Sequence, residues 1–466
     1  MELEGRKVLV VGLARTGVAA VRFLALRKAR LICTDLRTPE ELGDAVGLLE
    51  ETGSLLRLGG HEGEDFLKAD LIVVSPGVPL AIPPLQEAQA AGVEIIGEVE
   101  LAFRHITRPI IGVTGTNGKT TTVHLIATML EEGGISHWVG GNIGRPLTEC
   151  LLTPTGGKGG REPEVLVAEL SSFQLETIVD FRPWIALWTN LSADHLDRYP
   201  NMETYAEAKA RIFHKQTSRD FAVVPARDPW LERHKGVIPG RVLRFGSSVD
   251  EEPDVCLNEG SIVYRQPDSR TEERYETGRV RVPGKHNLEN MMSALAAARL
   301  CGADPRGIQR AMDTFVGLEH RVEYVGEAKG TRFFNDSKAT TVDSVLRALE
   351  CFEDPVLLLA GGKDKGGSFT PLQQPVGRHV RRLFLYGAAA GRMARELGGA
   401  TEIETAGGLE GALAQAWRAA RPGEVILLSP ACSSFDMFRD YEERGQSFKA
   451  LVHKILQENG ADEVRS

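Results

Sequence analysis

The chain has 466 residues, 42% hydrophobic and 26% charged, a globular balance too long for one core and suited to about two to four domains, with three as the central expectation. Lys+Arg 55 against Asp+Glu 64 leaves a net charge of −9, which argues against a broad electrostatic nucleic-acid surface while leaving room for a local basic pocket. No apolar run approaches the ~20 residues of a membrane span, the start lacks the regions of a signal peptide, and six cysteines lie far apart without a C-x-x-C pair, so a cytoplasmic chain with reduced core thiols and no membrane insertion is expected.

In chain order, the first element is an apolar strand ending at Val11, followed by a helix-spaced segment over 18–24. Between them, Gly12-Leu13-Ala14-Arg15-Thr16-Gly17 follows the dinucleotide fingerprint except at Ala14, where a glycine normally lets a pyrophosphate approach the backbone. The second strand ends at Asp35, and a carboxylate there suits a ribose or uridine hydroxyl. On these residues alone, a nicotinamide-linked oxidoreductase and a nucleotide-sugar site stay equally open. Short apolar runs at 71–74, 110–113, 165–168, 356–359 and 425–428 each lead into Gly, Ser, Glu or Pro and alternate with helical segments. That alternation predicts parallel sheets covered by helices, with ligands at the carboxyl ends of the strands. Boundaries near 106–109 and 317–320 divide the α/β chain into a Rossmann-like domain over 1–106, a central P-loop ATPase-type domain over 107–318 and a C-terminal Rossmann-like domain over 319–466.

The strongest local signal lies in the central domain. A strand runs into Gly115-Thr116-Asn117-Gly118-Lys119-Thr120-Thr121, and 123–130 continues as a helix. Backbone N–H groups of such a turn surround a phosphate, Lys119 supplies a point charge, and the Thr120 hydroxyl suits Mg²⁺. The strict pattern wants glycine where Val113 stands; Gly115 and Gly118 remain. Glu169 ends the strand over 165–168, and a carboxylate beside a triphosphate calls for a cation between them, so Glu169 reads as a magnesium ligand. His195, in Asp194-His195-Leu196-Asp197, follows the next strand and reads as a second ligand. Tyr205, Ala208 and Ile212 share a helix face that Lys209 borders; the residue-level reading of Lys209 is a stem over apolar surface with its ammonium in water. Residues 155–160 read as a flexible surface loop, 247–281 as a small antiparallel region, and 290–300 as an Ala-rich helix. In the last domain, Asp336 and Lys338 follow a strand over 331–335, Lys363 and Lys365 share a glycine loop from which either could reach a ligand, and Ser434 and Phe435 follow the last strand. Those cations and hydroxyls suit a dicarboxylic amino acid.

Thr114 to Thr121 resembles the ATP-binding loop of the Mur ligases and of folylpolyglutamate synthase. The stretches 169–176, 194–199, 335–340 and 429–436 resemble the D-glutamate-adding branch of the Mur ligases, in order and over essentially the whole chain. No D-N-P-R stretch marks the diaminopimelate-adding relative, and Asn117 stands where the alanine-adding relative usually has His. The resemblance implies ATP and Mg²⁺ as cofactors, with Gly115, Thr116, Asn117, Gly118, Lys119, Thr120, Thr121, Asn287, Asn290, Arg321 and Asp336 around the nucleotide. It implies UDP-N-acetylmuramoyl-L-alanine against Thr16, Asp35, Arg37, Ser75, Asn142 and Gln174. D-Glutamate is expected at Lys338, Thr340, Lys365, Ser434, Phe435 and Tyr441. Lys119, Glu169, His195 and Lys209 form the implied catalytic group, with Thr120, Glu169, His195 and a CO₂-carbamylated Lys209 at the metal. The expected protein is a monomeric ligase of peptidoglycan precursor synthesis acting through an acyl phosphate. Its rivals are a ligase of the same family with another amino acid and a nicotinamide-linked oxidoreductase with an incidental P-loop; a pure nucleotide switch leaves the C-terminal cations unexplained.

Overall fold

The computed structural model describes residues 1–152, 162–192, 198–234, 236–247, 253–269, 271–364 and 366–459, with Asp343 described by its backbone alone. The chain forms two compact units, Met1–Gly278 with Glu289–Met312, and Arg279–Leu288 with Asp313–Ser466.

The first unit holds two sheets. β1 (Lys7–Val11), β2 (Arg30–Asp35), β3 (Leu55–Leu58), β4 (Leu71–Val74) and β5 (Ile95–Gly97) pair in parallel in the order β3-β2-β1-β4-β5. Alternate residues of β1 go to opposite faces: Val8 and Val10 join one apolar cluster, Leu9 and Val11 the other. A strand covered on both faces needs an unbroken apolar run, which is why β1 shows no polar alternation. Each such side chain removed from water contributes about 1.5–3 kcal/mol.

The second sheet contains β6 (Ile110–Thr114), β7 (His137–Gly141), β8 (Val165–Glu169), β9 (Ile185–Trp188), β10 (Phe221–Pro225), β11 (Arg241–Gly246), β12 (Val255–Asn258), β13 (Ser261–Arg265) and β14 (Glu272–Glu276). Their order is β14-β13-β12-β11-β10-β9-β6-β8-β7, parallel as far as β12 and antiparallel at β13 and β14. The antiparallel strands expected within 247–281, inside the central domain, are part of this sheet. β12 pairs with the open edge of β11 through Phe245↔Val255, and the hairpins extend that edge.

In the second unit, β15 (Glu323–Ala328), β16 (Thr331–Asn335), β17 (Val356–Gly361), β18 (Val380–Tyr386), β19 (Glu402–Thr405) and β20 (Val425–Leu428) form a sheet of order β15-β16-β20-β17-β18-β19. Only β15 runs antiparallel to its neighbour. The helix expected over 290–300 begins five residues earlier, spanning Lys285–Leu300, because Gly284 and not the first apolar residue breaks the chain direction. Four cysteines are buried as expected, but Cys150 and Cys301 are only partly covered; all six are free thiols. The segment 155–160 lies outside the described residues.

Candidate active site

β6 lies between β8 and β9, and its carboxyl end is the point where successive connections leave in opposite directions, the crevice in which doubly wound sheets bind ligands. Gly115 (φ 140°) and Gly118 (φ 81°) adopt backbone conformations that L side chains avoid. A Cβ would stand 2.0 Å from Thr189 Oγ1 at Gly115 and 2.4 Å from Asn290 Oδ1 at Gly118, so a side chain at either position would be strained and would displace its neighbour. The end of β9 shapes the loop. Asn190 accepts the Asn117 N–H through its side chain and the Thr116 N–H through its carbonyl, each at 2.9 Å, and Thr189 Oγ1 donates to the Asn117 carbonyl at 2.6 Å. Gly118 caps the 14-residue helix Lys119–Glu132, whose N-terminus, with Thr120 and Thr121, favours an anion.

Two ammonium groups meet at one oxygen of this loop. Lys119 Nζ donates to the Gly115 carbonyl at 3.0 Å and to the Thr116 carbonyl at 2.8 Å. Lys209 Nζ donates to the same Gly115 carbonyl at 2.7 Å and sits 4.6 Å from the Tyr205 ring centroid. At 1% exposure Lys209 is buried, which overturns the reading of an ammonium in water: the helix turns this residue under the phosphate loop. Opposite them, Glu169 is 2% exposed, accepting from Thr120 Oγ1 on one oxygen and from Asn142 Nδ2 on the other, both at 2.9 Å. His195 lies outside the described residues. Among the described residues no three His, Cys, Asp or Glu side chains gather as a ready-made metal cluster.

A cavity of about 660 Å³ opens at the carboxyl ends of the first sheet, and Thr16, Asp35, Arg37, Ser75, Asn142 and Gln174 all line it. Gly17 makes its turn possible, since a Cβ there would lie 1.9 Å from the Gly12 carbonyl oxygen. Asp35 accepts the Leu13 N–H at 2.7 Å and is gripped by Arg37 through Nε at 3.0 Å and Nη2 at 2.8 Å. Burial alone would raise the Asp35 carboxyl; the Arg37 guanidinium and the Leu13 and Arg37 backbone N–H groups outweigh it and bring it down to about 2. Ser75 Oγ donates to the Gly12 carbonyl at 2.7 Å, and the Gln174 side chain accepts from the Ser171 N–H at 3.0 Å. The sequence reading missed His61, whose Nδ1 lies 2.8 Å from Thr34 Oγ1, and the wall of Pro76, Pro79, Pro83 and Pro84. The proline-rich run after β4 was its available signal.

In the second unit, Asp336 follows β16 and is 6% exposed, accepting from Ser429 Oγ at 2.7 Å and the Val322 N–H at 3.2 Å. Burial pushes its carboxyl up to about 7 against those bonds and the charge of Arg321. His320 (φ 62°) and Val322 (φ 44°) hold left-handed backbone on either side of exposed Arg321, and the strain is met by bonds from the His320 N–H to Glu323 and from the Lys338 N–H to the His320 carbonyl. Lys338 Nζ lies 5.1 Å from the Tyr441 ring centroid, with Thr340 partly buried two residues on. Ser434 is buried and Phe435 is 67% exposed; Lys363 pairs its backbone with Ser433, and Lys365 lies outside the described residues. Asn287 Nδ2 donates to the Pro283 carbonyl at 2.6 Å, a local bond within its own turn. Arg444, fully buried in the helix Tyr441–Glu458, was missed: it donates to Ser337 Oγ at 2.9 Å, the Ser337 carbonyl at 2.8 Å and the Cys432 carbonyl at 3.2 Å, tying two strand-end loops together. A lone arginine in a polar helix carries no sequence signal for burial.

Family models match all three sheets in order: the Mur ligase MurD-like N-terminal domain over 6–97, the Mur ligase middle domain over 113–298, and the Mur ligase glutamate ligase domain over 320–432. The chain is 46% identical to the UDP-N-acetylmuramoylalanine–D-glutamate ligase of Geotalea daltonii, over 98% of this chain and 99% of that protein. To the ligase of the same name from Pelobacter propionicus it is 48% identical, over 98% and 100%. Among solved structures, MurF from Acinetobacter baumannii (TM-score 0.56, 15% identity, 96% of this chain and 93% of that one) and UDP-N-acetylmuramate-alanine ligase from Thermotoga maritima (0.52, 18%, 97% and 100%) share the fold. The chain belongs to the Mur ligase family, on the branch of the UDP-N-acetylmuramoylalanine–D-glutamate ligases.

Proposed function

We propose that this chain is an ATP-dependent ligase that joins the carboxylate of UDP-N-acetylmuramoyl-L-alanine to the amine of D-glutamate in peptidoglycan precursor synthesis. One observation carries the reading: Asn142 lines the nucleotide-sugar cavity and also holds Glu169 beside the phosphate loop, so pocket and loop share a wall. A carboxylate does not react with an amine because its leaving group would be oxide. Transfer of the terminal phosphoryl group of ATP gives an acyl phosphate and ADP; the amine then attacks the acyl carbon, loses a proton, and phosphate leaves. Lys119 and Arg321 offset the charge of the transferring oxygens, while Gly115 to Thr121, Asn287, Asn290 and Asp336 hold the nucleotide. Thr16, Asp35, Arg37, Ser75, Asn142 and Gln174 hold the nucleotide sugar. Lys338, Thr340, Lys365, Ser434, Phe435 and Tyr441 receive D-glutamate. Holding acyl phosphate and amine together contributes about 7–11 kcal/mol at best.

Magnesium fits the donor set beside the loop. Thr120 and Glu169 supply a hydroxyl and a carboxylate 2.9 Å apart, the hard oxygens this ion takes alongside waters and phosphates, with His195 as the further ligand. When bound, the ion would neutralise phosphate charge. Lys209 is proposed to carry a carbamate, Lys–NH₂ plus CO₂ giving Lys–NH–COO⁻ and a proton. Two ammonium groups on the Gly115 carbonyl repel each other, and the carbamate removes one positive charge and adds a hard oxygen ligand. The proposed domains are 1–106, 107–318 and 319–466, in a monomeric cytoplasmic enzyme; among the described residues no helix is long and apolar enough to cross a membrane.

Phosphate release from ATP, measured with each substrate omitted in turn, tests the reading. Release should require the nucleotide sugar and D-glutamate together, and L-glutamate, L-alanine or meso-diaminopimelate should not replace D-glutamate. A cationic clamp left without its second carboxylate rejects L-alanine, and mirror-image inversion in L-glutamate puts the amine away from the acyl phosphate. Robust release with diaminopimelate would move the assignment to another ligase of the family, and oxidation of NAD(P)H at 340 nm would favour the oxidoreductase.

A further inference from the structure

Glu98 begins the short helix Glu98–Phe103 directly after β5, and its side chain is 2% exposed. Its Oε1 accepts two hydrogen bonds from one residue of the neighbouring sheet's connection, the Thr148 N–H at 2.5 Å and Thr148 Oγ1 at 2.7 Å, while Oε2 is buried with no hydrogen-bond partner among the described residues. Thr148 is itself fully buried. It ends the segment that starts at Gly141 and Asn142 after β7, and Gly141, Asn142, Gly144 and Pro146 of that segment wall the 660 Å³ cavity. The other end of the segment is tied to Glu169, through the Asn142 side chain at 2.9 Å and the Asn142 N–H to the Glu169 carbonyl at 2.8 Å. Beyond Thr148, Leu151 and Leu152 pack on the apolar cluster of the first sheet. The wall is thus a strap fastened at both ends by carboxylates, one beside the phosphate loop and one far from it.

We propose that Glu98 is a positioning residue for the nucleotide-sugar substrate: through Thr148 it holds the 141–148 strap at the height the cavity needs, without touching ligand itself. A buried carboxylate spent on one threonine is a costly way to stabilise a fold, since two hydrogen bonds offset only part of its desolvation. Burial, opposed by the two Thr148 bonds and reinforced by Glu149, pushes the Glu98 carboxyl up to about 7, so it is partly the neutral acid at neutral pH and an amide is a close substitute for it.

The inference rests on the proposed nucleotide-sugar reading of the cavity, and direct titration calorimetry with UDP-N-acetylmuramoyl-L-alanine separates the two. No binding to the wild-type protein would sink that reading. Given wild-type binding, Glu98→Ala should weaken it about tenfold, the effect of losing one charge-assisted anchor, with KM for D-glutamate changed less than about twofold. Glu98→Gln, which keeps an acceptor for Thr148, should stay within about threefold of wild type. A purely structural role would lower the melting temperature of Glu98→Ala and leave its affinity untouched, and that outcome overturns the inference. Should Glu98→Ala fail to fold, Thr148→Val, which removes one of the two bonds at matched volume, carries the test at about threefold, and unaltered affinity there overturns it equally.

Discussion

After β1 the chain turns through Gly12 and enters the helix Arg15–Leu26; after β6 it turns through Gly115 and Gly118 and enters the helix Lys119–Glu132. In the first turn a carboxylate from the adjacent strand, Asp35, occupies the Leu13 N–H and is paired in turn with Arg37. In the second, two lysines converge on the Gly115 carbonyl, and Glu169 is held by a hydroxyl and an amide. One backbone plan therefore supports opposite chemistry. A turn whose N–H group is taken by a carboxylate offers hydroxyl and amide recognition, whereas a turn whose N–H groups meet a neutral amide and carbonyl, with two ammonium groups beside it, attracts a polyphosphate. The ligand's charge is decided by what the neighbouring strands and helices deliver to the turn.

The largest expected break in this contrast is Lys119→Ala. It removes from the second turn a cation that meets the Gly115 carbonyl, and losing a charge-assisted contact in a water-excluded site raises the barrier by several kcal/mol. Phosphate release should fall at least about a hundredfold in protein with an unchanged circular dichroism spectrum. A folded variant retaining more than about a tenth of the activity would remove the phosphate-loop assignment, since a tenfold loss is only about 1.4 kcal/mol.

Lys209 sharpens the same contrast, because it asks whether the second turn needs two positive charges or one of each sign. Lys209→Ala and Lys209→Arg should both lose most activity. Added acetate or formate should restore part of it in the alanine variant, where a free carboxylate can enter the vacated space, and not in the arginine variant, whose permanent charge still fills it. Full activity of Lys209→Arg would mean that a cation suffices and the carbamate plays no part.

What the sequence made legible is what local chemistry determines. Continuous apolar runs closed by glycine mark buried parallel strands, and the phosphate loop announces itself because its glycines, lysine and threonines are adjacent. All six residues assigned to the nucleotide sugar line one cavity for a related reason: four sit at or just past the ends of strands, and Thr16 and Gln174 follow β1 and β8 by a short turn. Burial of charge was not legible. Lys209 lies 94 residues from the carbonyl it meets, Glu98 50 from Thr148, and Arg444 107 from Ser337, and nothing in a window around any of them distinguishes a buried charge from a solvated one. The start of the helix at Lys285 escaped detection for a different reason, since its first turn carries Lys, His and Asn and so shows no apolar period.

The smallest expected effect lies in the first turn and tests whether its charge is neutralised internally. Asp35 sits near 2 because Arg37 and two backbone N–H groups outweigh burial, a value below the ~3.9 of an unfolded aspartate. A carboxyl depressed on folding contributes stability above its unfolded value and loses it as pH falls through the folded one. Arg37→Ala leaves the Leu13 N–H bond in place but removes the guanidinium, so the carboxyl should titrate higher and its contribution should fade at a higher pH than in the wild type. Arg37 is 42% exposed on its side chain, and solvent screening keeps the pair's worth to about 1 kcal/mol. Because a chain of two compact units need not unfold in one step, hydrogen exchange at the Leu13 amide is the better readout than a global melt. At pH 7 the wild type should protect that amide about fivefold more than Arg37→Ala, and the ratio should shrink toward one between pH 5 and pH 3 as Asp35 takes up its proton in the variant first and then, toward pH 2, in both. A ratio that holds constant over that range would mean that Arg37 steadies the turn by covering it, and that the first turn differs from the phosphate loop in shape more than in charge.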